Sequence, residues 1–188
     1  MRRPYLLFYA LVFLDEVALL ALVPLLPSYT HAYHLSSVQA GALLSAASLA
    51  IVVASVPAGR LSDRFGARRV TLAAGAIVGV SMAGVAAAPG YPALLAARAL
   101  FGVGSGTIWS AGLSWLGDSA APEARERALA AVITVAGIGS MVGPVFAGVL
   151  ADQVGRGAAF AVVGVLTAVV VVGLAAGDPG RRAAHSHE

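Results

Sequence analysis

The feature that most constrains this chain is how long its apolar runs are. Six stretches, approximately Tyr5 to Pro27, Val38 to Gly59, Val70 to Ala88, Tyr91 to Trp115, Ala128 to Ala151 and Ala158 to Ala176, are each near the roughly 20 residues that a helix needs to cross about 30 Å of hydrocarbon. Their continuous apolarity lacks the period-two alternation of outer-membrane strands, and unpaired backbone is not tolerated in lipid, so helix is the expected structure throughout. The connections are short and carry turn chemistry, as in Pro89-Gly90-Tyr91-Pro92. Composition agrees: of 188 residues, 59% are hydrophobic and 11% charged, more apolar area than a soluble domain of this size can hide. Low charge and the absence of cysteine exclude a disordered chain and a disulfide scaffold. The expected fold class is an all-α integral membrane bundle of six spans over residues 1–177, followed by a polar cytoplasmic tail at 178–188.

Arginine distribution sets the expected orientation. With the N-terminus inside, Arg2, Arg3, Arg60, Arg64, Arg68, Arg69, Arg125, Arg127, Arg181 and Arg182 are cytoplasmic, Arg156 is outside, and Arg98 lies within the fourth span. Both termini are then cytoplasmic in a plasma (inner) membrane. The start resembles a signal peptide only superficially, because Asp15-Glu16 interrupts the apolar run. Arginines placed between apolar runs, rather than along one basic face, give no reason to expect a nucleic-acid partner.

The chain also repeats itself. Gly59-Arg60-Leu61-Ser62-Asp63-Arg64-Phe65-Gly66 closes the second span, and Gly148-Val149-Leu150-Ala151-Asp152-Gln153-Val154-Gly155 closes the fifth, 89 residues later. Both read G-x-L-small-D-x-x-G, and the topology puts one copy on each side of the membrane. Gly148, Leu150, Asp152 and Gly155 thus repeat Gly59, Leu61, Asp63 and Gly66 in two inverted three-helix units, at about 5–88 and 91–176. Such units are a design of secondary transporters, with a site near the midplane.

Three intramembrane ionisable residues are candidates for that site. Arg98 lies seven residues, about 10 Å, from the outer end of its helix and is too deep to snorkel easily. An arginine in hydrocarbon costs at least about 2.5 kcal/mol, so it should face a cavity or an acidic partner. Asp15 and Glu16, near the middle of the first span, are the candidate partners. Adjacent helical residues point about 100° apart, so only one of them is expected to face the cavity. A carboxylate that alternates between a proton and an arginine or cationic substrate would couple proton flow to transport; a static buried ion pair is the alternative. The four histidines fall in loops or the tail, so no metal site is expected, and no intramembrane nucleophile–base pair points to an enzyme.

These motifs resemble the major facilitator superfamily, specifically the N-terminal six-helix half of a drug and proton antiporter. The loop after the second span is similar to the family's G-x-L-a-D-r-x-G-r-k: Gly59, Leu61, Asp63, Arg64, Gly66 and Arg68 match, Ala67 departs, and Arg69 supplies a neighbouring charge. As a cytoplasmic latch, Gly59 and Gly66 would allow close approach and a tight reversal, Asp63 would sit near a helix N-terminus or an arginine, and the arginines would bind carbonyl ends or acidic lipid. Leu94-x-x-x-Arg98-x-x-Phe101-Gly102-x-Gly104-Ser105-Gly106 resembles the fourth-helix motif, with Phe101 at a commonly polar position. Gly139, Gly143, Pro144 and Gly148 on the fifth span are similar to the antiporter signature g-x-x-x-G-P-x-x-G-G, with Ala147 for one glycine. Asp15 resembles the acidic first-helix position of cation-exporting relatives.

The resemblance implies a secondary active transporter, or half of one, exporting a small molecule by alternating access. No cofactor is expected, and the proton gradient supplies the coupling ion. Because the family builds its carrier from two such bundles, the expected partners are substrate, the lipid bilayer, and a second six-helix bundle in cis, a homodimer mate or a partner half. The alternative is a truncated or non-transporting membrane scaffold or assembly subunit.

Overall fold

The computed structural model describes residues 3–177, all of whose regular elements are helical. The expected tail at 178–188, with Arg181 and Arg182, and Arg2 at the start lie outside the described residues. In chain order the elements are α1 (Arg3–Tyr33), α2 (Ser37–Phe65), α3 (Ala67–Ala86), α4 (Tyr91–Thr107), a π segment (Ile108–Gly112), α5 (Leu113–Ser119), α6 (Pro122–Gln153) and α7 (Ala158–Ala176). Five helices are each long and apolar enough to cross a membrane. The remaining crossing is composite, running from α4 through the π turn into α5.

Most helices outrun the apolar stretches that announce them. α1 continues past Pro24 and Pro27 to Tyr33, and α6 begins at Pro122 although its apolar run starts near Ala128. Apolarity marks only the part in hydrocarbon, whereas backbone hydrogen bonding carries the helix into the water layer. Local chemistry ends the helices. Ser36 and Gln39 form a reciprocal capping box at the start of α2. Gly66, at φ 89°, both closes α2 and opens α3.

Side-chain contacts sort the connections into two ends. At one end Tyr5 donates to the carbonyl of Ser119, and Arg68 to those of Leu174 and Ala175, gathering the start of α1, the α2–α3 and α5–α6 turns and the end of α7. At the other, Tyr33 donates to the carbonyl of Ala88 at 2.7 Å, and the Arg156 guanidinium stacks 5.2 and 5.0 Å from the ring centres of Tyr29 and Tyr33.

The repeat is visible in the backbone and in the packing. Among the described residues, the glycines with positive φ are Gly66 and Gly155, at 89° and 118°, the closing positions of the two motif copies. A Cβ on Gly102 of α4 would collide with the carbonyl oxygen of Ala47 and the Cβ of Ala50 on α2. Shifting Ala50 and Gly102 by 89 residues in opposite directions gives Gly139 and Phe13, and a Cβ on Gly139 would lie 2.7 Å from the Phe13 carbonyl oxygen. The same crossing is built twice, with the glycine on α4 in one copy and on α6 in the other. Likewise Arg68 meets the end of α7 where Gly157, its equivalent, abuts Ala86 at the end of α3.

A core of Phe8, Leu11, Leu22, Leu43, Met82, Leu94, Phe101 and Phe160 fills the bundle between these crossings. The outward faces of α2 (Leu49, Val52, Val53, Val56) and α6 (Ile133, Ile138, Met141, Val145) are exposed, as suits surfaces that meet lipid or another bundle. Gly102→Leu is expected to cost several kcal/mol, because backbone on α2 would have to retreat. Gly148, with nothing within 4 Å of its ideal Cβ, should accept alanine with a gain of about 0.5–1 kcal/mol from helix propensity. Denaturant unfolding of the two variants in detergent, followed by circular dichroism, checks both signs.

Candidate functional site

The fourth span meets α1 along a seam that repeats every seven residues. Arg98, Ser105 and Gly112 face, in turn, the carbonyls of Ala18 and Leu19, the carboxylate of Asp15, and the ring of Phe8. Seven residues are nearly two helical turns, so these positions share one face. Small residues at Gly102, Gly104 and Gly106 let α4 approach α2 and α3 closely, which seals the seam from behind.

Arg98 is 1% exposed and Asp15 fully buried. They do not pair. Arg98 sends its two terminal nitrogens to the carbonyls of Ala18 and Leu19 at 3.3 and 3.2 Å, and its guanidinium lies 5.1 Å from the centre of the Phe101 ring. Asp15 accepts from Ser105 at 2.7 Å, and Trp109 of the π segment borders it. The expectation that Asp15 or Glu16 is the direct partner of Arg98 is therefore corrected. The two contacts lie two turns apart on α4, and arginine can spread its charge over carbonyl dipoles and a ring face. The seam leaves one acceptor and one donor over: Asp15 Oδ1 and Arg98 Nε are buried without a hydrogen-bond partner. Such atoms are uncommon enough in folded proteins to need an explanation.

Glu16, one residue on, faces α6. It is half-buried and accepts from Ser140 at 2.8 Å. The glycines of the fifth-span motif make this possible. Gly139 rests against the carbonyl of Phe13 and Gly143 against that of Val17, either side of Glu16, so α6 lies close enough for Ser140 to reach it. Pro144 has no amide to offer the carbonyl of Ser140, four residues before it. A Cβ on Gly148 would meet nothing within 4 Å, so this glycine is not needed for the crossing.

In the loop motif, Gly66 makes the tight reversal, and Arg68 caps α7 through the Leu174 carbonyl at 2.6 Å. Gly59 does not make the close approach expected of it, since its ideal Cβ would have only Ser110 Oγ at 4.0 Å. Its neighbourhood lies beside the wide π turn rather than a tight α crossing. Leu61, Asp63, Arg64 and Arg69 are exposed, and Arg64 stacks on Phe65 at 5.2 Å. In the second copy Leu150 lies half-buried, Asp152 is exposed and Gly155 makes the reversal.

Sequence reasoning missed both serines and the π segment. Ser105 could have been found from its spacing, seven residues beyond Arg98, and Ser140 from its place beside Gly139. Nothing in the sequence announces a wide turn at Ile108–Gly112, where the Ile108 amide is shared between the carbonyls of Gly104 and Ser105. Removing the Ser105 hydroxyl takes from Asp15 the hydrogen bond that it accepts, so Ser105→Ala should destabilise the bundle by about 1–3 kcal/mol. In an Asp15→Leu background the same change should cost much less. A double-mutant cycle on unfolding in detergent measures the difference.

Comparison with known proteins agrees with this architecture. The family model described as "Major Facilitator Superfamily" matches residues 6–187. An uncharacterized MFS-type transporter of Mycobacterium tuberculosis is 38% identical over 111 residues, 59% of this chain and 19% of that protein. A major facilitator superfamily multidrug transporter of Aspergillus fumigatus is 32% identical over 144 residues, 76% of this chain and 28% of its own length. A multi-drug resistance efflux pump homolog of Lactococcus lactis is 29% identical over 154 residues, 80% of this chain and 38% of its own. A crystal structure of the peptide transporter POT in complex with alafosfalin superposes with a TM-score of 0.81 at 19% identity, over 92% of this chain and 37% of that one, which shows the fold. Among these relatives the chain spans 19% to 38% of their length. This chain, an all-helical multi-pass membrane bundle matched by the family model over residues 6–187, belongs to the Major Facilitator Superfamily.

Proposed function

We propose that this chain is the N-terminal half of a proton-coupled exporter of small, cationic or lipophilic molecules, and a carrier rather than an enzyme. The observation that carries the reading is the α1–α4 seam, where a fully buried carboxylate and a buried guanidinium face each other's helices with one polar atom apiece unused. A static structural pair would use those atoms on each other, because an unmet buried polar group costs about 1–3 kcal/mol. A site that must exchange partners has polar atoms that stay unpaired in one of its states. Asp15 then takes a proton in one step and releases it in another, and Arg98 holds the positive charge that makes the exchange uneven. Glu16 serves the neighbouring α1–α6 crossing.

Support for export comes from the relatives named as a multidrug transporter and a multi-drug resistance efflux pump homolog, and from the fifth-span glycines that hold α6 against α1. In this reading the N-terminus and the arginine-rich turns face the cytoplasm across a plasma membrane, as the arginine bias favours. The proton gradient is the energy source, with no organic cofactor. The exposed apolar faces of α2 and α6 receive a second six-helix bundle, from the same polypeptide, a second copy or a partner half.

Transport is tested in inside-out vesicles by following proton-driven movement of a panel of lipophilic cations, with the native chain joined by whichever second bundle completes it. Asp15→Asn, which keeps shape and the Ser105 contact, is expected to lower the proton-dependent rate at least tenfold while leaving helicity unchanged. Equal rates for the native protein and the Asp15→Asn variant would sink the coupling role and favour a non-transporting membrane subunit.

A further inference from the structure

The described residues also line a half-open cavity of about 570 Å³ at the arginine-rich end, between α1 and α6 and beside the Phe8 end of the α1–α4 seam. One wall is the rings of Tyr5 and Tyr9 on α1. Both hydroxyls are engaged with backbone, Tyr5 with the carbonyl of Ser119 and Tyr9 with that of Ala128 at 3.2 Å, so the rings are fixed. The opposite wall is made of small side chains, Ala121, Ala124 and Ala128, where the α5–α6 turn enters α6. Among the lining residues Arg127 alone is charged, and no acidic side chain lines the space.

These features select an amphiphile with a negative head. The slot is apolar along its walls and cationic at one place, and its size falls within the range of small-molecule sites. Its depth is set by the chain, because the apolar run of α1 starts at Tyr5 and that of the fifth span near Ala128. The cavity thus straddles the boundary between hydrocarbon and headgroups, where tyrosines concentrate and where anionic lipids meet basic side chains. A soluble anion would gain nothing from the alanine wall, and a zwitterionic lipid gains less from Arg127 because its own cation offsets its phosphate.

We propose that this cavity is a binding site for an anionic phospholipid of the adjoining leaflet, with the headgroup in the slot, its phosphate at Arg127, and one acyl chain entering the bilayer past Tyr9 and Ala128. The lipid would wedge between the start of α1 and the start of α6, against the end of the composite fourth span. This inference does not depend on the transport reading.

The test is native mass spectrometry of the purified full chain equilibrated with an equal mixture of phosphatidylglycerol and phosphatidylcholine. The native chain should retain phosphatidylglycerol preferentially. One arginine near a membrane surface contributes roughly a fivefold preference, so Arg127→Gln should weaken retention by about that factor. Ala124→Leu, which fills the slot from an exposed helix position, should abolish it. Arg125→Gln should leave retention unchanged, because the Arg125 guanidinium lies against Gly117 rather than in the cavity. Equal losses in the Arg125 and Arg127 variants, or full retention after Ala124→Leu, would overturn the site in favour of diffuse surface charge. Displacement of the phospholipid by an equal amount of oleate would overturn the assignment to a two-chain lipid.

Discussion

A guanidinium in the apolar layer, facing two carbonyl oxygens and one aromatic ring, sets terms that the rest of the bundle has to meet. The charge costs at least about 2.5 kcal/mol at such depth and survives only where α1 presents the carbonyls of Ala18 and Leu19 close by. Closeness requires small residues behind it. Gly102 and Gly106, one and two turns beyond Arg98, bring the α2 backbone within contact distance, and Gly104 does the same toward Ala74 and Val78 on α3. The fourth-span motif is therefore one device: an arginine facing α1, with glycines on the other faces that let α2 and α3 close behind it.

The inverted repeat explains how α1 comes to carry so much of the chemistry. Equivalent crossings join α2 to α4 and α6 to α1, and each needs one glycine-bearing partner. In the second crossing the glycines are on α6, at Gly139 and Gly143, so α1 keeps full side chains at Phe13, Glu16 and Val17. The departure from symmetry places Asp15 and Glu16 on adjacent faces of one helix, each meeting a serine on a different neighbour.

Much of this was legible in the sequence. Six crossings, the end of the bundle at which each turn falls, and the repeat all follow from run length, arginine placement and motif spacing, because those features answer to the membrane itself. Arg98, Asp15 and Glu16 stood out for the same reason. Their partners did not, since a serine in an apolar helix carries no signal until the neighbouring helix is known. The pairing of Arg98 with a carboxylate was inferred from charge alone, and charge does not reveal that backbone carbonyls lie nearer. Gly59 and Gly148 show the converse limit: matching a motif did not place either at a close contact, whereas Gly102 and Gly106 of the fourth-span motif are packed against backbone.

The seam also limits how the proposed carrier can work. Asp15 is fully buried, with Arg98 on one side of it along α1 and Phe8, pressed on Gly112 and edge-on to Trp115 at 5.7 Å, on the other. A proton or cation has no route along the α1–α4 contact while both ends are shut. Access must come with a change in that contact, and the part least committed to regular hydrogen bonding is the π segment between Ser105 and Gly112. Trp109 sits in that segment beside Asp15, so a shift in the wide turn reaches the carboxylate directly. Under the proposed function, opening the seam and changing the partner of Asp15 are therefore one event rather than two that need a separate linkage.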